Sequence, residues 1–188
     1  MTFDASQRAV LFDLARRSIS AGLTEGRRVP YVPESLPPAL TARRASFVTL
    51  RIGGMLRGCC GSIEVRHTLA EDVWRNAWAS AFSDPRFTAL TAGEFAQCDI
   101  HIAVLSELEP LNVADESELL RILRPGLDGL LLSAQGERAT FLPSVWEQLP
   151  SPEQFLRHLK LKAGWSVDAW PAELRAWRYT TEELGEEH

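Results

Sequence analysis

Apolar positions recur along this chain with two different periods, and the switches between them divide it into elements. Near the start, Val10, Leu11, Leu14, Ala15 and Ile19 follow the three-to-four spacing of one helix face. Asp4 and Gln7 stand at capping-box spacing before this run, and Gly22 is the predicted stop. A second helix is predicted behind Thr68 and Glu71. Leu69, Val73, Ala77 and Ala81 form its apolar stripe, and it ends before Asp84-Pro85. Trp74 and Trp78 lie on the adjacent stripe, a position that packs under a neighbouring element more readily than it holds a cofactor. "DESELLRIL" reads as a short capped helix. In "SPEQFLRHLKLKAG" Ser151 is the N-cap, Pro152 the first position and Gly164 the stop. Lys160 and Lys162 near its end suit the helix dipole.

Alternation with period two marks the strands. "FVTLRI-GG-MLRGCC" predicts a β-hairpin turning on Gly53-Gly54. If Ile52 and Met55 flank the turn, Leu50 lies opposite Arg57 and Val48 opposite Cys59. Arg57 and Cys59 would then share one face, with Leu56 and Cys60 on the other beside Phe47. A bulge at Gly58 would break this register. "DIHIAVL" alternates as a half-buried strand, "LDGLLLSAQGERATFL" reads as strand, glycine turn, strand, and "LRAWRYT" as a closing strand. The proline-rich "VPYVPESLPPAL" is a loop, because core elements resume directly after it. Hairpins mixed among helices predict an α+β protein, with residues 1–188 as a single domain, if of two unequal lobes.

Composition narrows the classes. The 188 residues carry a net charge of −5, which argues against a broad nucleic-acid-binding face. The opening residues lack the basic-then-apolar order of a secretory signal. No apolar run approaches the roughly 20 residues of a membrane span. The expected compartment is the cytoplasm, where thiols stay reduced.

The chemistry rests on "MLRGCCGSIEV", where two of three cysteines are adjacent. A bridge between neighbours is a strained ring, and no histidine or further cysteine stands at zinc-ligand spacing, so neither a disulfide nor a metal is expected. Cys59 is a candidate nucleophile that an arginine on its own face, Arg57, would activate. Its bland alternative is a small residue in a crowded core. Gly58 and Gly61 would admit a ligand or another backbone. Cys60 and Cys98 are expected to be packing. In "SAFSDPRF" Asp84 and Arg86 form either an anion-orienting pair or a structural turn with Asp84 capping freed N–H groups. His67 and His101 are the bases available for a Cys/His pair, and each reads more readily as a solvated or packed histidine. "RATFLPSVWEQLPSP" could rim a pocket or fold over the core. Phosphate-loop, Rossmann, zinc-protease and serine-hydrolase signatures are absent.

Five ordered stretches, "LRGCCGS", "SAFSDPRF", "RPGLDGLLL", "RATFLPSVWEQLP" and "FLRHLKLKAG", resemble the AMMECR domain family, in particular its prokaryotic form, protein A of the AmmeMemoRadiSam system. The resemblance runs from about Ala9 to Thr181. It implies an α+β fold of two unequal lobes with antiparallel sheet, helices and a cleft between the lobes. The family motif L-R-G-C-x-G falls on Leu56, Arg57, Gly58, Cys59 and Gly61, and A-F-x-D-x-R-F falls on Ala81, Phe82, Asp84, Arg86 and Phe87. Both are associated with the family's site. The family's activity is not established, but its members occur beside Memo-like and radical SAM proteins, which implies a shared modification pathway. Cys60 stands where an aliphatic residue is usual and His101 where an acid is common, so neither histidine matches a family base. The expectation is a Cys59-dependent enzyme or subunit, with Arg57 as activator and Gly58, Gly61, Asp84 and Arg86 around the substrate. No cofactor or metal is implied. The alternative is a non-catalytic adaptor presenting a substrate to such partners.

Overall fold

The structure, a computed structural model, describes residues 2–186. Its contacts group the chain into two compact units, Met1–Leu105 with Glu182–His188, and Ser106–Thr181. Each is built on a four-stranded antiparallel sheet, so the α+β expectation holds.

In the first unit, α1 (Ala5–Glu25) starts at the predicted capping box, with Asp4 accepting from the Gln7 N–H and the Gln7 side chain accepting from Asp4. The helix does not stop at Gly22. It runs on to a left-handed Gly26, and Gly22 is buried inside it because a Cβ there would lie 2.5 Å from the Phe82 ring and 2.8 Å from Trp78. The glycine therefore marks where two helices touch. The proline-rich loop holds one short turn, α2 (Pro38–Thr41). Strands β1 (Ser46–Ile52) and β2 (Met55–Gly61) form the predicted hairpin, with Gly53 and Gly54 both at positive φ as a primed turn requires.

Helix α3 (Leu69–Phe82) follows. Thr68 caps it by accepting from the Glu71 N–H. The Glu71 carboxylate lies 3.0 Å from His67 Nδ1 and 3.7 Å from Arg75. After α4 (Ala92–Phe95) comes β3 (Cys98–Leu105). A strand the pattern did not mark, β8 (Thr181–Gly185), completes the sheet in the order β2-β1-β3-β8. "LRAWRYT" is therefore not the last strand. Leu11, Ala15, Ile19, Val73 and Ala77 from the helices meet Val48, Leu50, Ile100 and Ile102 from the sheet. Each fully buried Leu, Ile or Val among them contributes about 2 kcal/mol of transfer free energy.

The C-terminal strand is tied to α1 by charge. The Glu186 carboxylate takes a two-pronged bond from Arg16 at 2.6 Å and accepts the Ile100 N–H at 2.9 Å.

In the second unit, β4 (Glu109–Leu111), β5 (Gly129–Ala134), β6 (Glu137–Phe141) and β7 (Arg175–Tyr179) form a sheet in the order β4-β7-β5-β6. Helices α5 (Glu116–Ile122) and α6 (Pro152–Lys162) carry the predicted caps, Asp115 and Ser151. Leu130, Leu132 and Ala176 pack with Phe155, Leu156 and Leu159. The "LPSVWEQLP" segment folds over this core as a single 3-10 turn, Pro143–Glu147. Trp146 stacks on Phe155 with centroids 3.9 Å apart and donates to the Asp128 carbonyl at 2.7 Å. Lys160 does more than serve the helix dipole. It is fully buried, paired with Glu116 and donating to the Val167 carbonyl at 3.1 Å.

The hairpin register departs from the expected one. Ile52 pairs with Met55 and Arg51 with Leu56, but Leu50 then faces Gly58, Thr49 faces Cys59 and Val48 faces Cys60. A bulge at Arg57 shifts every later residue by one place. The cause lies on α3. A Cβ on Gly58 would lie 2.1 Å from the Ser80 carbonyl oxygen, so helix backbone sits directly against the strand. The Ser80 hydroxyl accepts from Cys60 N–H at 2.8 Å and reaches the Val48 carbonyl at 2.7 Å, bridging the two strands. Gly58→Ala should therefore destabilise by about 3 kcal/mol, the upper range of overpacking. Gly53→Ala in the open turn should cost about 1 kcal/mol, the strain of a left-handed alanine. Urea unfolding midpoints of the two variants check the ranking, and equal midpoints would refute the tight helix–strand contact.

Candidate functional site

Arg57, Gly58 and Cys59 lie on β2, an edge strand whose outward backbone groups have no neighbouring strand. The turn after α3 takes the place of that neighbour at Cys59. Asp84 Oδ2 accepts the Cys59 N–H at 2.9 Å, and Arg86 Nη2 donates to the Cys59 carbonyl at 3.4 Å. The pair is locked to itself as well. Arg86 Nε and Nη2 fork onto the Asp84 carboxylate at 2.9 and 2.7 Å, and the Arg86 N–H donates to Oδ1 at 3.1 Å. Asp84 is buried while Arg86 remains half-exposed. The Arg86 fork and then the Cys59 N–H hold the Asp84 carboxyl well below the ordinary carboxylate range.

Arg57 goes elsewhere. At the bulge its side chain leaves the Cys59 face and meets Glu94, with Nε–Oε1 at 2.9 Å and Nη2–Oε2 at 3.1 Å, and Nη2 also donates to the Thr88 carbonyl at 3.0 Å. The guanidinium, followed by the Thr91 N–H and hydroxyl, pushes Glu94 down to about 2. Arg57 Nη1 is buried with no hydrogen-bond partner among the described residues. The expected sharing of one face by Arg57 and Cys59 is thus corrected by the bulge. The guanidinium coupled electrostatically to both the Cys59 and Cys60 thiols is that of Arg86. The two sequence motifs still converge, because Arg57 and Arg86 lie 5.7 and 5.6 Å from the centroid of the same Phe87 ring.

The Cys59 thiol is half-buried and receives a hydrogen bond from Thr49 Oγ1 at 3.3 Å, its cross-strand partner. His101 pairs with Thr49 on the other side. Its ring lies over Gly185 of β8, 3.5 Å from where a Cβ would stand, on the far side of β3 from the thiol. His67 is the partner of Glu71. Cys60 and Cys98 carry thiols pushed up chiefly by burial, and Cys98 lies in the core. Gly58 admits the α3 backbone, and Gly61 sits against Phe47, whose ring would be 2.3 Å from an added Cβ. Among the described residues no three His, Cys, Asp or Glu side chains converge as a metal-ligand set.

Several partners escaped the sequence reading. Asp72, Asn76 and Ser80 precede Asp84 at four-residue intervals, and this polar stripe beside the apolar one was the available signal. Thr49 becomes visible only once the register is known. Glu94 could be seen as the third residue of a capping box with Thr91, though not as the clamp of Arg57.

The AMMECR1 family model matches residues 12–184. The chain belongs to the AMMECR1 family. A protein of Thermofilum pendens is 35% identical over 181 residues, covering 88% of this chain and 83% of that protein. One of Thermotoga maritima is 37% identical over 152 residues, covering 79% and 82%. The crystal structure of an uncharacterized Pyrococcus horikoshii protein, PH0010, superposes with a TM-score of 0.85 at 30% identity, covering 95% of this chain and 90% of that one. The AMMECR1 fold thus accounts for the two antiparallel sheets, and the site motifs lie within the matched span. Among the described residues no helix is long and apolar enough to cross a membrane.

A carboxyl held low contributes stability that is fully present above its unfolded value near 3.8 and is lost as pH falls below it. Asp84→Asn should cost on the order of 2–3 kcal/mol at pH 7, since it strips a buried partner from Arg86 and the strand edge. The gap between wild type and variant should narrow as pH is lowered from 5 toward about 2. Urea titrations across that range check it, and a gap that stays constant would show that ionisation of Asp84 is not the stabilising factor.

Proposed function

We propose that this AMMECR1-family protein is a cytoplasmic, Cys59-dependent enzyme or enzyme subunit of a modification pathway shared with Memo-like and radical SAM proteins, as protein A of the AmmeMemoRadiSam system. The observation that carries this reading is the Thr49 hydroxyl donating to the sulfur of a half-buried Cys59. A donor on sulfur stabilises negative charge developing there, and so does a nearby guanidinium. Arg86, which donates to the Cys59 carbonyl at 3.4 Å, is the guanidinium next to this residue in place of Arg57. The backbone on both sides of the sulfur is fixed by Asp84 and Arg86, so the thiol is held in one place without having to be ordered by the substrate. With His101 turned toward Gly185 and His67 on Glu71, a proton acceptor has to come from the substrate or a partner, which favours a subunit role.

A specific observation favours the second reading, a non-catalytic adaptor. Arg57, Asp84 and Arg86 each satisfy protein groups, as they would if their role were to shape a surface.

Alkylation separates the two. In the native protein, iodoacetamide should label Cys59 well ahead of Cys60 and Cys98, whose thiols burial pushes up. Thr49→Val should slow Cys59 labelling several-fold at pH 7, read by peptide mass spectrometry. A Cys59 that reacts only in urea would end the nucleophile reading. Retained capture of Memo-like and radical SAM partners by Cys59→Ser would then support the adaptor.

A further inference from the structure

The second unit carries a feature that the thiol site does not use. Ser133 on β5 pairs with Arg138 on β6 at one side and with Arg175 on β7 at the other. Directly opposed residues in antiparallel strands project to the same face, so the three side chains form one row, arginine, serine, arginine. Strands lie about 4.8 Å apart, which places the two arginine backbones about 10 Å apart with the hydroxyl midway. That face is opposite the core, since Leu130, Leu132 and Ala134 point to the helix-covered side. Both arginines are exposed and Ser133 is half-buried.

A cavity of about 720 Å³ opens over this row, closed at one end by the Gln135-Gly136 turn and bordered by Glu173 at the entry to β7. Both ends are shaped by unusual backbone. Gln135 and Glu173 are the non-glycine residues at positive φ among those described, 55° and 59°. Such conformations cost of order 1 kcal/mol or more and persist where the surroundings fix them. The Arg175 guanidinium carbon lies 5.7 Å from the Trp177 ring centroid. This cation–π contact does not use the guanidinium N–H donors, and a guanidinium fork suits carboxylate and phosphate groups in its own plane. Arg138, which is itself not without a partner, adds a second positive charge.

We propose that this cavity binds the oxyanion group, phosphate or carboxylate, of a small ligand, with Arg175 as the fork, Ser133 as a hydroxyl donor and Arg138 as the flanking charge. Glu173 on the border sets a negative charge beside the two arginines, which disfavours a polyanion such as nucleic acid over a single oxyanion group.

The test is an amide-resolved NMR titration of the full chain with sodium phosphate and, separately, sodium succinate, ionic strength held constant with chloride. Saturable shifts are expected at the amides of residues 133–138 and 173–175. Arg175→Ala should weaken binding at least about tenfold, with Arg175→Lys recovering only part of it because the fork is lost. Ser133→Ala should weaken it about threefold, and Glu173→Gln should tighten it. Response to both anions supports the shared chemistry, and response to one alone supports it while naming the source. No saturable shift from either up to about 20 mM, or an Arg175→Ala variant that binds like wild type, overturns the proposal. Arg175 is exposed, so unchanged spectra outside the cavity confirm that the variant keeps its fold.

Discussion

Four polar side chains, Asp72, Asn76 and Ser80 on α3 and Asp84 just past its end, stand four residues apart and bond the first hairpin along its length. Asp72, buried and with its carboxyl pushed up by that burial, accepts the Ser46 N–H and hydroxyl at 2.8 and 2.6 Å. Asn76 donates to the Ser46 carbonyl at 2.9 Å, Ser80 bridges Val48 and Cys60, and Asp84 takes the Cys59 N–H. A helix that meets strands through backbone bonds must approach more closely than apolar packing alone would bring it. Gly58 is the consequence, because no side chain fits between Ser80 and the strand. The bulge at Arg57, the orientation of the Cys59 thiol and the diversion of Arg57 to Glu94 all follow from that approach.

This ordering of causes explains what the sequence displayed and what it withheld. Local chemistry was legible: the Asp4, Asp115 and Ser151 caps, the Gly53-Gly54 turn and the alternation of the Ile100–Ile102–Val104 strand all appear as expected. These depend on residues within a few positions of one another. The register did not, because one inserted residue on β2 was selected by a hydroxyl more than twenty positions away on α3. Gly22 misled for the same reason. A glycine near the end of a helical pattern and a glycine at a helix–helix contact look alike until the partner helix is in place. Strand β8 escaped because "TEELG" has little apolar content, with Leu184 its one residue in the core, Glu182 accepting the Phe3 N–H just ahead of α1, and Glu186 just beyond it accepting the Ile100 N–H of β3.

The site was legible as two motifs but not as one arrangement. Arg57 and Cys59 are two apart on a strand, and ideal alternation places them together. Asp84 and Arg86 read equally well as a turn or as ligands. The structure joins the motifs through the backbone of Cys59 and the ring of Phe87, and it reverses the partners: Arg86 bonds the Cys59 backbone, and Arg57 goes to Glu94. Lys160 shows the same limit in the second unit. Its place in a helical last turn explains a lysine on the surface, whereas burial against Glu116, the Val167 carbonyl and Trp170 explains a lysine in the core.

Groups that already satisfy one another stabilise the fold and leave little for a ligand, so the capacity for function lies in what remains after those bonds are formed. Asp84 spends its oxygens on Arg86 and Cys59, and Glu94 on Arg57 and Thr91. At the thiol site the remainder is the half-buried Cys59 sulfur with its Thr49 donor, and the buried Nη1 of Arg57. In the second unit it is the N–H edge of Arg175 beside Ser133. A buried guanidinium nitrogen without an acceptor is costly enough that native interiors seldom keep one without a purpose, such as an acceptor that arrives with a ligand or solvent. Arg57 thus combines a structural clamp at two of its nitrogens, on Glu94 and the Thr88 carbonyl, with a third that meets no acceptor among the described residues.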